Sequence, residues 1–207
     1  MECLVRESEF ELAIREVREL VRRSGGGLFG SDSPERPQYQ QLLARIYHRS
    51  GDSKQALAVA LPLLDSERAK LKKSGGKDGN FVASLQLDAG TFYRSDGQTE
   101  QATKLLQESI SLLTGEEKPN PVAVAVARVQ LGGAMLDQSS KDYQEIRTLL
   151  ESSHEFLASR INEPAHVDWQ RDLKSARVEL VRLYETTGET EKRDRIRAKL
   201  EEVQADE

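Results

Sequence analysis

The sequence predicts an all-α fold, an α-solenoid of antiparallel helix pairs stacked in a line. Three observations point there. Charged residues make up 31% of the 207 and aromatic residues only 5%, with 37% hydrophobic, a mix suited to amphipathic helices with thin apolar stripes. Apolar residues recur at helical spacing along the chain, and no segment alternates as a strand would. A small residue, a tyrosine, a glycine and an alanine return several times in the same order.

The elements follow in turn. Phe10, Ala13, Ile14, Val17, Leu20 and Val21 form one stripe, stopped by Gly25, Gly26 and Gly27. Tyr39, Leu42, Leu43, Ile46 and Tyr47 form the next and end at Ser50 and Gly51. Ala56, Leu57, Ala60, Leu63 and Leu64 follow an Asp52/Ser53 cap, and a polar break runs from Lys72 to Asn80. Phe81–Tyr93 and Ala102–Leu113 are helical around a turn at Asp96 and Gly97. Pro119 and Pro121 open a helix over Val122–Leu136, since proline fits a first turn and little else in a helix. Its valines would suit a strand, but the interleaved Ala123, Ala125 and Ala127 and the segment's length favour helix. Tyr143–Ile161, Val167–Tyr184 and Lys192–Val203 complete the series. The expectation is a single domain over 1–207: a half hairpin at about 1–24, then hairpins at 34–73, 80–114, 119–161 and 165–204.

The recurring order explains itself physically. Ala44, Tyr47, Gly51, Ala56 and Ala60 are echoed by Gly90, Tyr93, Gly97, Ala102 and Leu106. Leu180, Tyr184 and Gly188 repeat the first part, and Leu131, Gly132 and Met135 give a looser copy that continues to Ile146 and Leu150. Leu4 and Ala13 keep the nine-residue offset of Tyr47 and Ala56, so anchors fall at 4, 47, 93, 135 and 184. Small residues belong where two helices approach closely. Glycines end the first helix of a pair where φ must be positive. A lone hairpin of this kind cannot bury its stripe, so several must stack.

The run Leu43–Ala60 resembles the tetratricopeptide repeat (TPR), and the resemblance covers nearly the whole chain. Anchor spacings of 43, 46, 42 and 49 residues exceed the roughly 34 of the common form and are similar to the longer repeats of kinesin light chain-like proteins. Proline-bearing links at Ser33–Arg36, Pro119–Ala123 and Glu163–Ala165 stand where those repeats open a first helix. The resemblance departs at one feature. Kinesin light chain repeats carry paired asparagines before the small residue, where this chain has Gln41-Leu42, Leu87-Asp88, Val129-Gln130 and Val178-Glu179. An asparagine-based peptide clamp is therefore not implied.

Other functions find little support. Net charge is −5 without a basic block, against nucleic-acid binding. Cys3 is the only cysteine, so no intrachain disulfide is possible. No apolar run approaches the length of a membrane span, and the first residues have neither a signal core nor a transit-peptide composition. A cytoplasmic protein is the expectation, or an organellar one if the chain is an excerpt lacking a targeting segment. Gly25–Gly30 satisfies G-x-G-x-x-G, but it follows a charged helix and Ser31 stands where a phosphate loop needs lysine, so it reads as a loop. Ser74–Gly79 reads as a linker. His48, His154 and His166 are scattered, and Cys3 is taken as incidental, so neither a metal, a cofactor nor a catalytic set is expected. Trp169 lies on a stripe with Leu173, Ala176 and Leu180 and is expected in the core, with a partner-facing contact as the alternative. The charged C-terminal segment, with Ile196, Leu200 and Val203 as its stripe, is expected to cap the array.

What the resemblance implies is a concave face lined by first helices. It would present Gln38, Gln41, Arg45, His48 and Arg49, then Ser84, Leu87, Thr91 and Arg94. Val126, Val129 and Gly133 follow, then Lys174, Val178, Arg182 and Glu185. Arg45, Arg49, Arg94 and Arg182 make that face basic within an acidic protein, which suits an acidic partner segment over a Val126/Val129 floor; the alternative is that these arginines are ordinary solvated residues. The expected function is a non-catalytic adaptor or scaffold for a protein or peptide partner. The alternative is a structural subunit or assembly factor, whose convex face, loops and ends would be buried instead. The first stripe reads as the second half of a hairpin. Phe10, Ile14, Val17 and Val21 would then pack without a mate, unless the chain is an excerpt of a longer protein.

Overall fold

The computed structural model describes residues 2–25, 33–76, 79–117, 119–138, 140–160 and 166–205. Among these, all regular structure is helical: α1 (Glu2–Ser24), α2 (Arg36–Arg49), α3 (Ser53–Lys73), α4 (Asn80–Ser95), α5 (Thr99–Gly115), α6 (Pro121–Asp137), α7 (Tyr143–Ser159), α8 (His166–Thr187) and α9 (Thr190–Ala205). The valine-rich segment is helix α6, so alanine content and length outweigh β-branching there. The Gly26–Asp32 and Glu163–Ala165 stretches lie outside the described residues.

Local chemistry sets the helix ends. The Asp52 carboxylate accepts the Gln55 amide, Asp142 accepts that of Glu145, and Asn120 accepts that of Ala123 with Pro121 beside it. At the C-termini Gly51, Gly97 and Gly188 take φ of +89°, +80° and +76°. In each case the next amide returns to a tyrosine carbonyl: Asp52 to Tyr47, Gln98 to Tyr93 and Glu189 to Tyr184, each at 2.9 Å. The tyrosine-to-glycine spacing therefore encodes a turn as well as a packing residue.

The chain forms two compact units, Met1–Gln98 and Thr99–Glu207. In the first, α1 packs on α2, α2 on α3, α3 on α4, and α2 also touches α4. Its core joins Val17, Leu43, Ala44, Tyr47, Ala56, Leu57, Ala60 and Phe92. Helix α1 runs unbroken from Glu2 to Ser24, which corrects the placement of Leu4 as a repeat anchor. Leu4 and Ala13 share one helix, whereas a turn separates Tyr47 from Ala56. The second unit repeats the scheme: α5 packs on α6, α6 on α7, α7 on α8, α8 on α9, and α6 touches α8. Ile146, Leu150, Leu157, Leu173, Leu180 and Leu183 are fully enclosed in it. In each unit, sequence neighbours pack on one another in succession, and alternate helices α2 and α4, or α6 and α8, also meet. The Trp169 side chain lies outside the described residues, as does that of Val203.

An arginine lies over a core tyrosine in each unit. Arg18 sits 5.4 Å from the Tyr47 ring and bonds its hydroxyl, and Arg147 sits 5.9 Å from the Tyr184 ring. Around Tyr184 the contacts are ionic as well. Its hydroxyl donates to Glu151 at 2.8 Å, and Arg147 bonds Glu189 in the turn before α9. Hydrogen bonds from Arg147, Lys192 and Thr187 hold the Glu189 carboxyl at about 2, well below its ordinary 4.5.

Candidate functional site

In the first unit α2 and α4 meet through a polar cluster centred on Asp88. The Gln41 amide donates to Asp88 Oδ2 at 2.7 Å and to Ser84 Oγ at 2.9 Å. Arg45 Nε donates to the same Asp88 oxygen at 2.8 Å. Burial raises the Asp88 carboxyl above its ordinary value, against the opposing pull of Arg45 and Gln41. Beside them the His48 ring stacks at 4.8 Å on Phe92 and approaches Ser53 Oγ at 3.4 Å. Burial lowers the His48 imidazole, and Arg49 pushes the same way while Asp88 opposes.

The second unit joins α6 and α8 by the same device. Arg182 donates to Asp137 on α6 at 2.5 Å and to Glu179 on its own helix at 2.7 Å. Gln130 reaches Ser175 Oγ at 3.5 Å. Gln41, Asp88, Gln130 and Glu179, which occupy the asparagine places of the resembled repeats, thus all carry polar bonds on first helices.

No protein-family model matches the chain. A curated relative, Tetratricopeptide repeat protein 21B of Xenopus laevis, is 29% identical over 108 residues, 50% of this chain and 8% of that protein. The match thus spans under a tenth of that relative's length. Solved structures align with 97% of the chain, two of them as follows. One is a Podosopora anserina protein described as a kinesin light chain with nearly identical TPR-like repeats, at 19% identity, TM-score 0.62 and 90% of its length. The other is BtubC (BKLC) from P. vanneervenii, at 22% identity, TM-score 0.66 and 75% of its length. The fold is the tetratricopeptide repeat.

In TPR terms α2, α4, α6 and α8 are first helices and α3, α5, α7 and α9 second helices, with α1 in the place of a second helix. Three first helices carry matching stripes at i, i+3/4 and i+7: Leu42, Arg45 and Arg49 on α2; Leu87, Thr91 and Arg94 on α4; Val178, Arg182 and Glu185 on α8. Leu42 and Val178 are both 43% exposed, and Arg49 and Glu185 are exposed.

Several predicted TPR face residues are placed differently. Gln41 is buried at 9% exposure and spends its amide inside the α2–α4 contact. Val129, at 1%, and the buried Gly133 belong to the core, so a Val126/Val129 floor does not form; only Val126 is partly exposed. The small α6 residues let neighbouring helices close over Val129. Arg45 and Arg182 do not stand ready for an acidic partner, because Asp88, Asp137 and Glu179 already engage them. Thr91 returns its hydroxyl to the Leu87 carbonyl, while Arg94 and Lys174 are half-buried. Sequence spacing alone did not mark Leu42 or Asp88 as site residues. The first lies one residue from Gln41, and the second sat in plain view at an asparagine place. Among the described residues no group of three or more His, Cys, Asp and Glu could hold a metal ion. No helix among them is long and apolar enough to cross a membrane.

Proposed function

We propose that the chain is a non-catalytic protein-interaction adaptor whose partner contacts the first-helix stripes. One observation carries this reading: Leu42 and Val178, large apolar residues on equivalent helices, stand 43% exposed next to a fully engaged polar network. Core packing leaves them over, and polar neighbours frame them, as in the contact surface of a partner. The mechanism is presentation of a stable surface, with Gln41, Arg45 and Arg182 bracing the helices and the exposed side chains making the contacts. The partner is a protein segment with an apolar side chain for Leu42 or Val178. Acidic character is not required at Arg45 or Arg182, since a carboxylate there would compete with Asp88 or Asp137.

Affinity purification with cross-linking mass spectrometry tests this, comparing wild type with Leu42→Asp and Val178→Asp. Both substitutions fall on exposed positions and spare the core. The expected result is a partner cross-linked to α2, α4 or α8 and lost on substitution. Retention of every captured protein by both variants would overturn the reading.

A further inference from the structure

We infer that the second unit carries an anchor pocket for one bulky apolar side chain of a partner protein flanked by a carboxylate. A cavity of about 270 Å³ opens where the end of α5, the start of α6 and the later half of α7 meet. Pro119, Pro121, Val124, Ala125 and Phe156 give it apolar walls. Arg128 is the charged residue of the lining, no carboxylate shares it, and Arg128 makes no ion pair among the described residues. Arg160 stacks 5.0 Å from the Phe156 ring, placing a second cation at the aromatic wall. An apolar hollow with positive charge at its edge is complementary to an apolar group beside a carboxylate. Its open side admits a side chain presented by a polypeptide.

The same place in the first unit is built differently. Counted from the start of their helices, Pro62, Leu63 and Ser66 of α3 stand where Ser152, Ser153 and Phe156 stand in α7. There too a cavity opens beside a proline-bearing helix start, but Glu67 answers Lys70 in its lining at 2.6 Å. Leu63 is 4% exposed and fills its share of the core. Its counterpart Ser153 is 2% exposed, shorter, and has a hydroxyl without a hydrogen-bond partner among the described residues. A buried unsatisfied hydroxyl costs stability, so packing alone does not account for serine there. Ser153 makes one wall shorter, and Arg128 separately has no ion-pair partner among the described residues; together these distinguish the second unit's cavity.

The test uses N-acetyl-leucinate as the apolar carboxylate and N-acetyl-leucinamide as its uncharged match. Amide chemical shifts of the ¹⁵N-labelled full chain are followed at Val124, Ala125, Arg128 and Phe156. Saturable shifts are expected, with the carboxylate binding about fivefold more tightly than the amide, as one exposed ion pair allows. Ser152→Trp, at an exposed position of the rim, should weaken both probes at least about tenfold by filling the hollow. Arg128→Glu should reverse the preference, and this comparison decides even if Ser152→Trp does not fold. Shifts absent at these residues, equal affinity for the two probes, or an unchanged preference in Arg128→Glu would each overturn the assignment. A dimer in analytical ultracentrifugation that Ser152→Trp dissolves would overturn it as well, since the occupant would be a second copy. The outcome is independent of the first-helix reading, which rests on other residues.

Discussion

Gly132 on α6 lies against Leu150 on α7 so closely that a Cβ built on the glycine would stand 2.8 Å from Leu150 Cδ2 and 2.9 Å from its Cγ. Leu150 is fully buried, so its side chain must shift within the packed core to admit a Cβ. Gly132→Ala therefore sets a gain in helix propensity of about 1 kcal/mol against an overpacking cost of about 1–3 kcal/mol. Net destabilisation of about 1 kcal/mol is expected in urea titration. Leu150→Val alone should cost about 1 kcal/mol, and the double variant should cost less than the sum of the singles. Strict additivity would show that the contact is not the cause.

Gly97 tests the turn that ends α4. Its φ of +80° is left-handed, and nothing lies within 4 Å of where a Cβ would be, so any loss reports backbone strain alone. Gly97→Ala should cost about 1 kcal/mol and Gly97→Asn less, because asparagine tolerates this region better. Equal stability of all three proteins would contradict the strain argument.

The helices were legible because each signal was local: stripe, cap, glycine; the early start of α1 at Glu2, ahead of the Phe10–Val21 stripe, was not. The face was less so. Gln41 shares the helical phase of the exposed Gln38 and Arg45, and Val129 that of the partly exposed Val126, and only packing with another helix decides that the first is consumed and the second covered. Arg45 shows the same limit for charge. Its partner Asp88 lies on a different helix, so one-dimensional spacing cannot report that the cation is taken. A signal did exist, since Asp88 and Glu179 fell at the asparagine places of the resembled repeats. The polar role persists there with different side chains, and a search for asparagine alone passes over it.

The Asp88–Arg45 pair makes a pH-dependent prediction. Burial raises the Asp88 carboxyl above its ordinary 3.8, so ionised Asp88 costs stability above its folded pKa. Arg45 offsets part of that cost. Arg45→Met leaves the carboxylate with Gln41 as its remaining cluster donor and should destabilise by about 1–2 kcal/mol at pH 7. As pH falls through the raised value the folded protein takes up the proton first, and the deficit should shrink. A deficit equal at pH 7 and pH 4 would mean that Arg45 acts through its aliphatic stem.

His154 gives the opposite slope. Burial pushes its imidazole down to about 4, with Arg177 on α8 and Lys199 on α9 pushing the same way. Its Nε2 has no hydrogen-bond partner among the described residues, and Arg177 is fixed toward α9 by a 2.9 Å bond to the Lys199 carbonyl. Protonation would thus add a third cation to a poorly solvated place. With the folded pKa below the unfolded 6.5, the unfolded chain protonates first as pH falls. Full stability is expected above about pH 6.5, with a loss on the order of 2–3 kcal/mol on reaching about pH 4. Glu189, held at about 2, gives up its contribution only in a lower window, between its ordinary 4.5 and 2. His48, also lowered by burial, leaves a residual slope when His154 is removed. Urea midpoints at pH 7.5 and 5 should therefore differ clearly in wild type and less in His154→Gln. The same loss in both proteins would clear His154 as the titrating group.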